Sequence, residues 1–107
     1  MIVATTGDIA GYRVKETKGE VFGLVVRSRG LLFNISAGIR SLFGGEIHEY
    51  TALLESARLQ AVERMIQNAE RMEANAVLMM RFDSSEISSY MSEVVAYGTA
   101  AVIEPAT

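Results

Sequence analysis

The residue pattern predicts an α+β fold, with one long amphipathic helix packed on a small, mainly antiparallel sheet. Three observations carry that expectation. Residues Glu93 to Ile103 read Glu-Val-Val-Ala-Tyr-Gly-Thr-Ala-Ala-Val-Ile, a strand with almost nothing polar on either face. Tyr50, Leu54, Ala57, Ala61, Met65, Ala69 and Met72 recur in steps of three and four, widened by Leu53, Val62 and Ile66, which is a helix stripe. Between the two, Ala76 to Phe82 is an apolar run of strand length.

In chain order, a short strand is expected over Ile2 to Thr5, broken at Gly7-Asp8, with extended chain resuming near Tyr12. Its clearest part is Val21-Phe22-Gly23-Leu24-Val25-Val26, where β-branched and aromatic residues crowd together. Lys15 to Glu20 is charged, and Gly19 marks a bend. From Arg27 to Gly45 the glycines at 30, 38, 44 and 45 punctuate a long connection, with a short helix expected near Ala37 to Leu42. Connections of this length tend to be functional or to touch neighbouring subunits.

The helix is expected from Glu46 to about Met72, with Glu46 and Glu49 complementing the amino end of its dipole and Arg64 and Arg71 the carboxyl end. At about 1.5 Å per residue it would be roughly 40 Å long, against a radius of gyration of about 13 Å for a compact domain of this size. It should overhang a lone protomer. Asp83 to Ser92 is read as a polar connection that joins the last two strands in an antiparallel hairpin, stopped at Pro105.

Side chains alternate along a strand, so the last one sends Val94, Ala96, Gly98, Ala100 and Val102 to one face and Val95, Tyr97, Thr99, Ala101 and Ile103 to the other. Both faces want cover, and one helix covers one face. The second face is expected to meet another copy of the chain. With 107 residues, a single domain over 1–107 is expected. Half the residues are hydrophobic and the mean hydropathy is +0.21, an excess that association would absorb.

A net charge of −3 and a pI near 5.1 give no electrostatic footprint for nucleic acid. The absence of cysteine excludes disulfides, thiolate ligands and a thiol nucleophile, and suits a reducing cytosol. The amino terminus lacks the pattern of a signal peptide, and the carboxyl-terminal apolar run is short of the roughly 20 residues of a membrane helix. A soluble, cytoplasmic protein without membrane or nucleic-acid partners is expected.

Four sets of side chains are candidates for chemistry. His48 is the only imidazole; a borderline metal wants several such ligands three or four residues apart on a helix, yet Thr51 and Ala52 occupy those positions. His48 could complete a divalent or soft-metal site only with copies of itself or with Glu46 and Glu49 of a neighbour, so it is read as a solvent-facing residue at the helix start. The methionines at 65, 72, 79, 80 and 91 are read as core filler. Asp83, Glu86 and Glu93 are read as a solvated loop and an edge charge, with convergence on a cation or as an acid and base pair the sharper alternative.

Arg27, Arg29 and Arg40 form a basic stretch with no acidic residue before Glu46. They could hold a small anion beside the helix start, but pairing with acidic groups of an adjacent subunit is preferred. The expected oligomer interface therefore comprises Arg27, Arg40, Val95, Tyr97 and Thr99. No serine or threonine sits in a nucleophile-elbow pattern, so binding ranks above catalysis, no cofactor is expected, and the partner is the chain itself with a small ligand or metal ion as an addition.

Gly44-Gly45-Glu46-Ile47-His48-Glu49-Tyr50-Thr51, Ala74-Asn75-Ala76-Val77 and Glu93-Val94-Val95-Ala96-Tyr97-Gly98-Thr99-Ala100 together resemble the YbjQ-like family of uncharacterised bacterial proteins, whose label names heavy-metal binding. The resemblance runs over nearly the whole chain. It implies a dodecin-subunit-like α+β domain that assembles as a ring-like homopentamer, with sheets pairing across subunits. One position departs: the family usually has glycine before Ala-Asn-Ala-Val, and here it is Glu73. Either Asn75 takes the left-handed role or the helix ends with strain.

Overall fold

The computed structural model describes residues 1–28, 48–88 and 91–107, and within the helix the side chains of His48, Glu49 and Tyr50 fall outside that description. The expected short helix near Ala37 to Leu42, together with Arg29, Arg40 and Glu46, lies outside the described residues. The described elements are β1 (Ile2–Val3), β2 (Tyr12–Ser28), α1 (His48–Arg71), β3 (Ala76–Ser88) and β4 (Met91–Pro105). The strands form one mixed sheet in the order β1-β3-β4-β2. β1 runs parallel to β3, and both long neighbours of β4 are antiparallel to it.

The sheet is built from apolar runs, but its length is not. β3 continues through Asp83, Ser84 and Ser85 to Ser88, and β4 already begins at Met91, so most of the expected polar connection is strand. Cross-strand pairing of Asp83 with Val95 and of Ser85 with Glu93 satisfies the backbone there, and tertiary pairing overrides weak strand propensity. β2 is likewise continuous across its charged part. Gly19 sits at φ 118 where the register with β4 slips, so the expected bend is a β-bulge. An extra residue in β3 puts Met79 at φ 55, with its N–H donating to Thr6 O at 3.0 Å.

α1 lies on the face formed by Val21, Val25, Val77, Val94, Ala96 and Ala100. Its buried row is Ala57, Ala61, Met65 and Ala69, spaced by four, and three of those four side chains are a single methyl. Small residues let helix and sheet approach closely, and Gly23 completes the fit. Any side chain at Gly23 would collide with the helix backbone at Ala61 O and Met65 N. Burying Met65 completely stabilises the layer by roughly 2 kcal/mol. Leu54, which the stripe places in line with this row, is 41 % exposed.

The helix stops in a Schellman motif. Ala74 N donates to Ala69 O at 3.1 Å, Glu73 N donates to Glu70 O at 2.9 Å, and the left-handed residue between them is Glu73 itself, at φ 64. Asn75 does different work: its amide donates to Ile103 O at 2.9 Å and accepts from Ile103 N at 2.8 Å, extending the ladder as a backbone would. Of the two alternatives left by the sequence, strain at Glu73 is the one realised.

Candidate functional site

The outer sheet face, away from α1, divides into two parts. Toward the start of β3, Ala76, Leu78, Ala101 and Ile103 are buried. The chain between β1 and β2 has to pass from one sheet edge to the other at this end, and Ala4 and Thr6 accept hydrogen bonds from Met80 and Met79 on the way. Farther along, the register aligns Arg81, Tyr97 and Phe22 in one row across the face, then Asp83, Val95 and Leu24, then Ser85, Glu93 and Val26. Phe22 is 54 % and Tyr97 43 % exposed, and Leu24 and Val26 are exposed beside them. Val95 and Thr99 are half-buried. An apolar band over β2 and β4 therefore adjoins a polar strip on β3.

Charge along this face is of both signs. Arg81 donates to Thr5 O and Met80 O, each at 2.8 Å, which ties its guanidinium to the chain that follows β1. Asp83 accepts from Ser84 N at 2.9 Å, and Glu93 accepts a long bond from Ser85 Oγ at 3.4 Å. Asp83 and Glu93 share the outer face, whereas strand alternation sends Glu86, opposite Ser92, to the other side. The three carboxylates considered together in sequence are thus split. Among the described residues no three His, Cys, Asp or Glu side chains gather as a metal site.

On the helix side, the Arg27 guanidinium donates to Gln60 Oε1 at 2.7 Å and Ser56 Oγ at 3.1 Å. Arg64 donates to Leu24 O at 2.7 Å and Asn68 to Phe22 O at 2.8 Å. These two carbonyls lie on the free edge of β2, so α1 occupies acceptors that an incoming strand would need. Sequence reasoning missed this clamp, because an arginine and an asparagine four apart on a polar helix face look like solvated residues. It also missed a groove of about 310 Å³ between α1 and β3, lined by Glu55, Arg58, Leu59, Val62 and Phe82. Arg58 lies over the Phe82 ring at 4.9 Å. The available signal was Leu59, an apolar residue outside the buried stripe and 67 % exposed.

His48 opens α1, and Glu49 follows it. Both side chains, with Glu46 and Arg40, lie outside the described residues.

Residues 1–104 match the family described as "Putative heavy-metal-binding", the YbjQ family. The chain belongs to that family. A UPF0145 protein of Bradyrhizobium sp. (strain ORS 278) is 60% identical over 106 residues, covering 99% of this chain and 96% of its own length. A UPF0145 protein of Sulfurisphaera tokodaii is 52% identical over 103 residues, covering 96% and 90%. The latter is archaeal, so the family is wider than the bacterial group that the sequence resemblance suggested. A crystal structure of a protein of unknown function from Pediococcus pentosaceus, assigned to the DUF74 family, has a TM-score of 0.64 and covers 97% of this chain and 98% of that chain at 16% identity. At that identity the likeness establishes a shared fold. YbjQ membership carries no catalytic assignment, and no helix among the described residues is long and apolar enough to cross a membrane.

Proposed function

We propose that this YbjQ-family chain is a non-enzymatic, cytoplasmic homo-oligomer, a ring-like homopentamer of dodecin-like subunits with a structural or small-ligand-binding role. One observation carries the reading: among the described residues nothing covers the Phe22, Leu24, Val26 and Tyr97 band, which lies over β4 and the edge strand β2. Apolar area of this kind costs about 25 cal/mol per Å² while it faces water, and monomers seldom display it contiguously. The protomer's shape agrees. Its extents are 57 × 24 × 15 Å and its radius of gyration is 17.3 Å, against about 13 Å for a compact domain of this length.

Native mass spectrometry and light scattering at micromolar concentration should show a discrete species of five subunits. A stable, folded monomer would overturn the reading. The family description also names heavy metals, and His48, with Glu46 and Glu49, is the place to test it. Titration with zinc, copper or nickel should give the same thermal shift for His48→Ala as for the natural chain, since a ligand held only by the folded form raises stability. Submicromolar binding lost in His48→Ala would move the proposal to an ion site at the subunit boundary.

A further inference from the structure

Among the described residues two apolar surfaces stay uncovered, and they differ in shape and in layer. One is a ridge: Phe22 and Tyr97 pair across β2 and β4 and stand out from the outer sheet face. The other is the groove floored by Leu59, Val62 and Phe82, which opens between α1 and β3 on the helix side. Phe82 and Val62 pack against the core under α1, so the sheet itself separates groove from ridge. A copy cannot fill its own groove with its own ridge.

We infer that the contact between copies is head-to-tail, with the Phe22 and Tyr97 ridge of one chain seated in the Leu59, Val62 and Phe82 groove of the next. This rests on the self-association reading above and specifies the surface that meets the outer face. Three observations favour this occupant. A groove of about 310 Å³ lies at the small end of binding pockets, which run from about 300 to 1,000 Å³, and so suits an aromatic side chain. Arg81 flanks Tyr97 on the ridge while Glu55 stands at the groove. In the reverse sense, Asp83 and Glu93 adjoin the ridge while Arg58 lies over Phe82. Each side therefore offers the sign the other needs, and Arg58 is placed to add a cation–π contact with an entering ring. A contact between two different patches of identical chains closes into a ring when the rotation permits.

Complementation of two broken surfaces tests the inference. The ridge variant is Phe22→Asp with Tyr97→Asp, and the groove variant is Leu59→Asp. All three side chains reach solvent, so circular dichroism should report folded protein for both. Alone, each variant should lose the large assembly. Mixed in equal amounts they should form 1:1 heterodimers and nothing larger, because only one working ridge and one working groove remain. The inference is overturned if Leu59→Asp assembles like the natural chain, or if the mixture stays monomeric. A monomeric natural chain would instead overturn the self-association reading itself.

Because the chain has no cysteine, oxidation gives an independent readout. Tyr97→Cys with Leu59→Cys in one chain should yield a ladder of disulfide-linked multimers. Efficient cross-linking of Tyr97→Cys alone would mean that outer faces pack against each other, and the head-to-tail arrangement would be wrong.

Discussion

The two halves of the outer sheet face share the same strands yet meet different fates. Beside the start of β3, Ala76, Leu78, Ala101 and Ile103 are buried; a few residues along, Phe22, Leu24 and Tyr97 face solvent. Hydrophobicity does not separate them, since Tyr97 and Ile103 belong to one apolar run on one face of β4. Chain path does. Among the described residues, the segment linking β1 to β2 crosses at the end of the sheet that holds the first half. The lesson is that an apolar face becomes core or interface according to what the topology lays over it.

The sharpest way to break this comparison is to place the same charge in each half. Ala101→Asp should unfold the protomer, because an unpaired carboxylate at a fully buried position costs several kcal/mol. Tyr97→Asp, in the exposed half, should abolish assembly and leave the protomer folded. Urea titrations beside sedimentation separate the two outcomes. Equal loss of fold in both variants would erase the distinction between the halves.

A slightly smaller effect is expected on the inner face, where α1 lies directly on β2. In Gly23→Ala the new methyl meets helix backbone that no side-chain rotation can move aside. The loss should reach about 3 kcal/mol, the upper end for overpacking, as a lower denaturation midpoint. A neutral result would mean that α1 sits farther from β2 than the described packing.

The smallest effect sharpens the comparison by stabilising the protomer without touching either half. Glu73→Gly relieves a left-handed residue, worth about 1–2 kcal/mol, offset in part by glycine's freedom in the unfolded chain. A net gain of about 0.5–1 kcal/mol should raise the melting temperature and leave the mass of the assembly unchanged. A lower melting temperature would show that the Glu73 side chain contributes more than its backbone costs.

Much of this was legible in the sequence, because the signals were local. The period-four row of Ala57, Ala61, Met65 and Ala69 announces α1, and the alternation after Glu93 announces β4. Gly19 and Glu73 each mark a backbone irregularity that the structure contains. What the sequence could not supply depends on residues far apart in the chain. The pairing of Asp83 with Val95 turns a polar stretch into strand, and Arg64 and Asn68 reach β2 carbonyls some forty positions away in sequence. Likewise Phe82 joins Leu59 and Val62 only because α1 lies across β3. By itself the sequence determined the long helix and the apolar parts of the strands, and that one helix leaves apolar sheet over, since propensity and periodicity act between near neighbours. Only tertiary structure decided which part of that sheet is covered from within the chain, because burial depends on where the connections run.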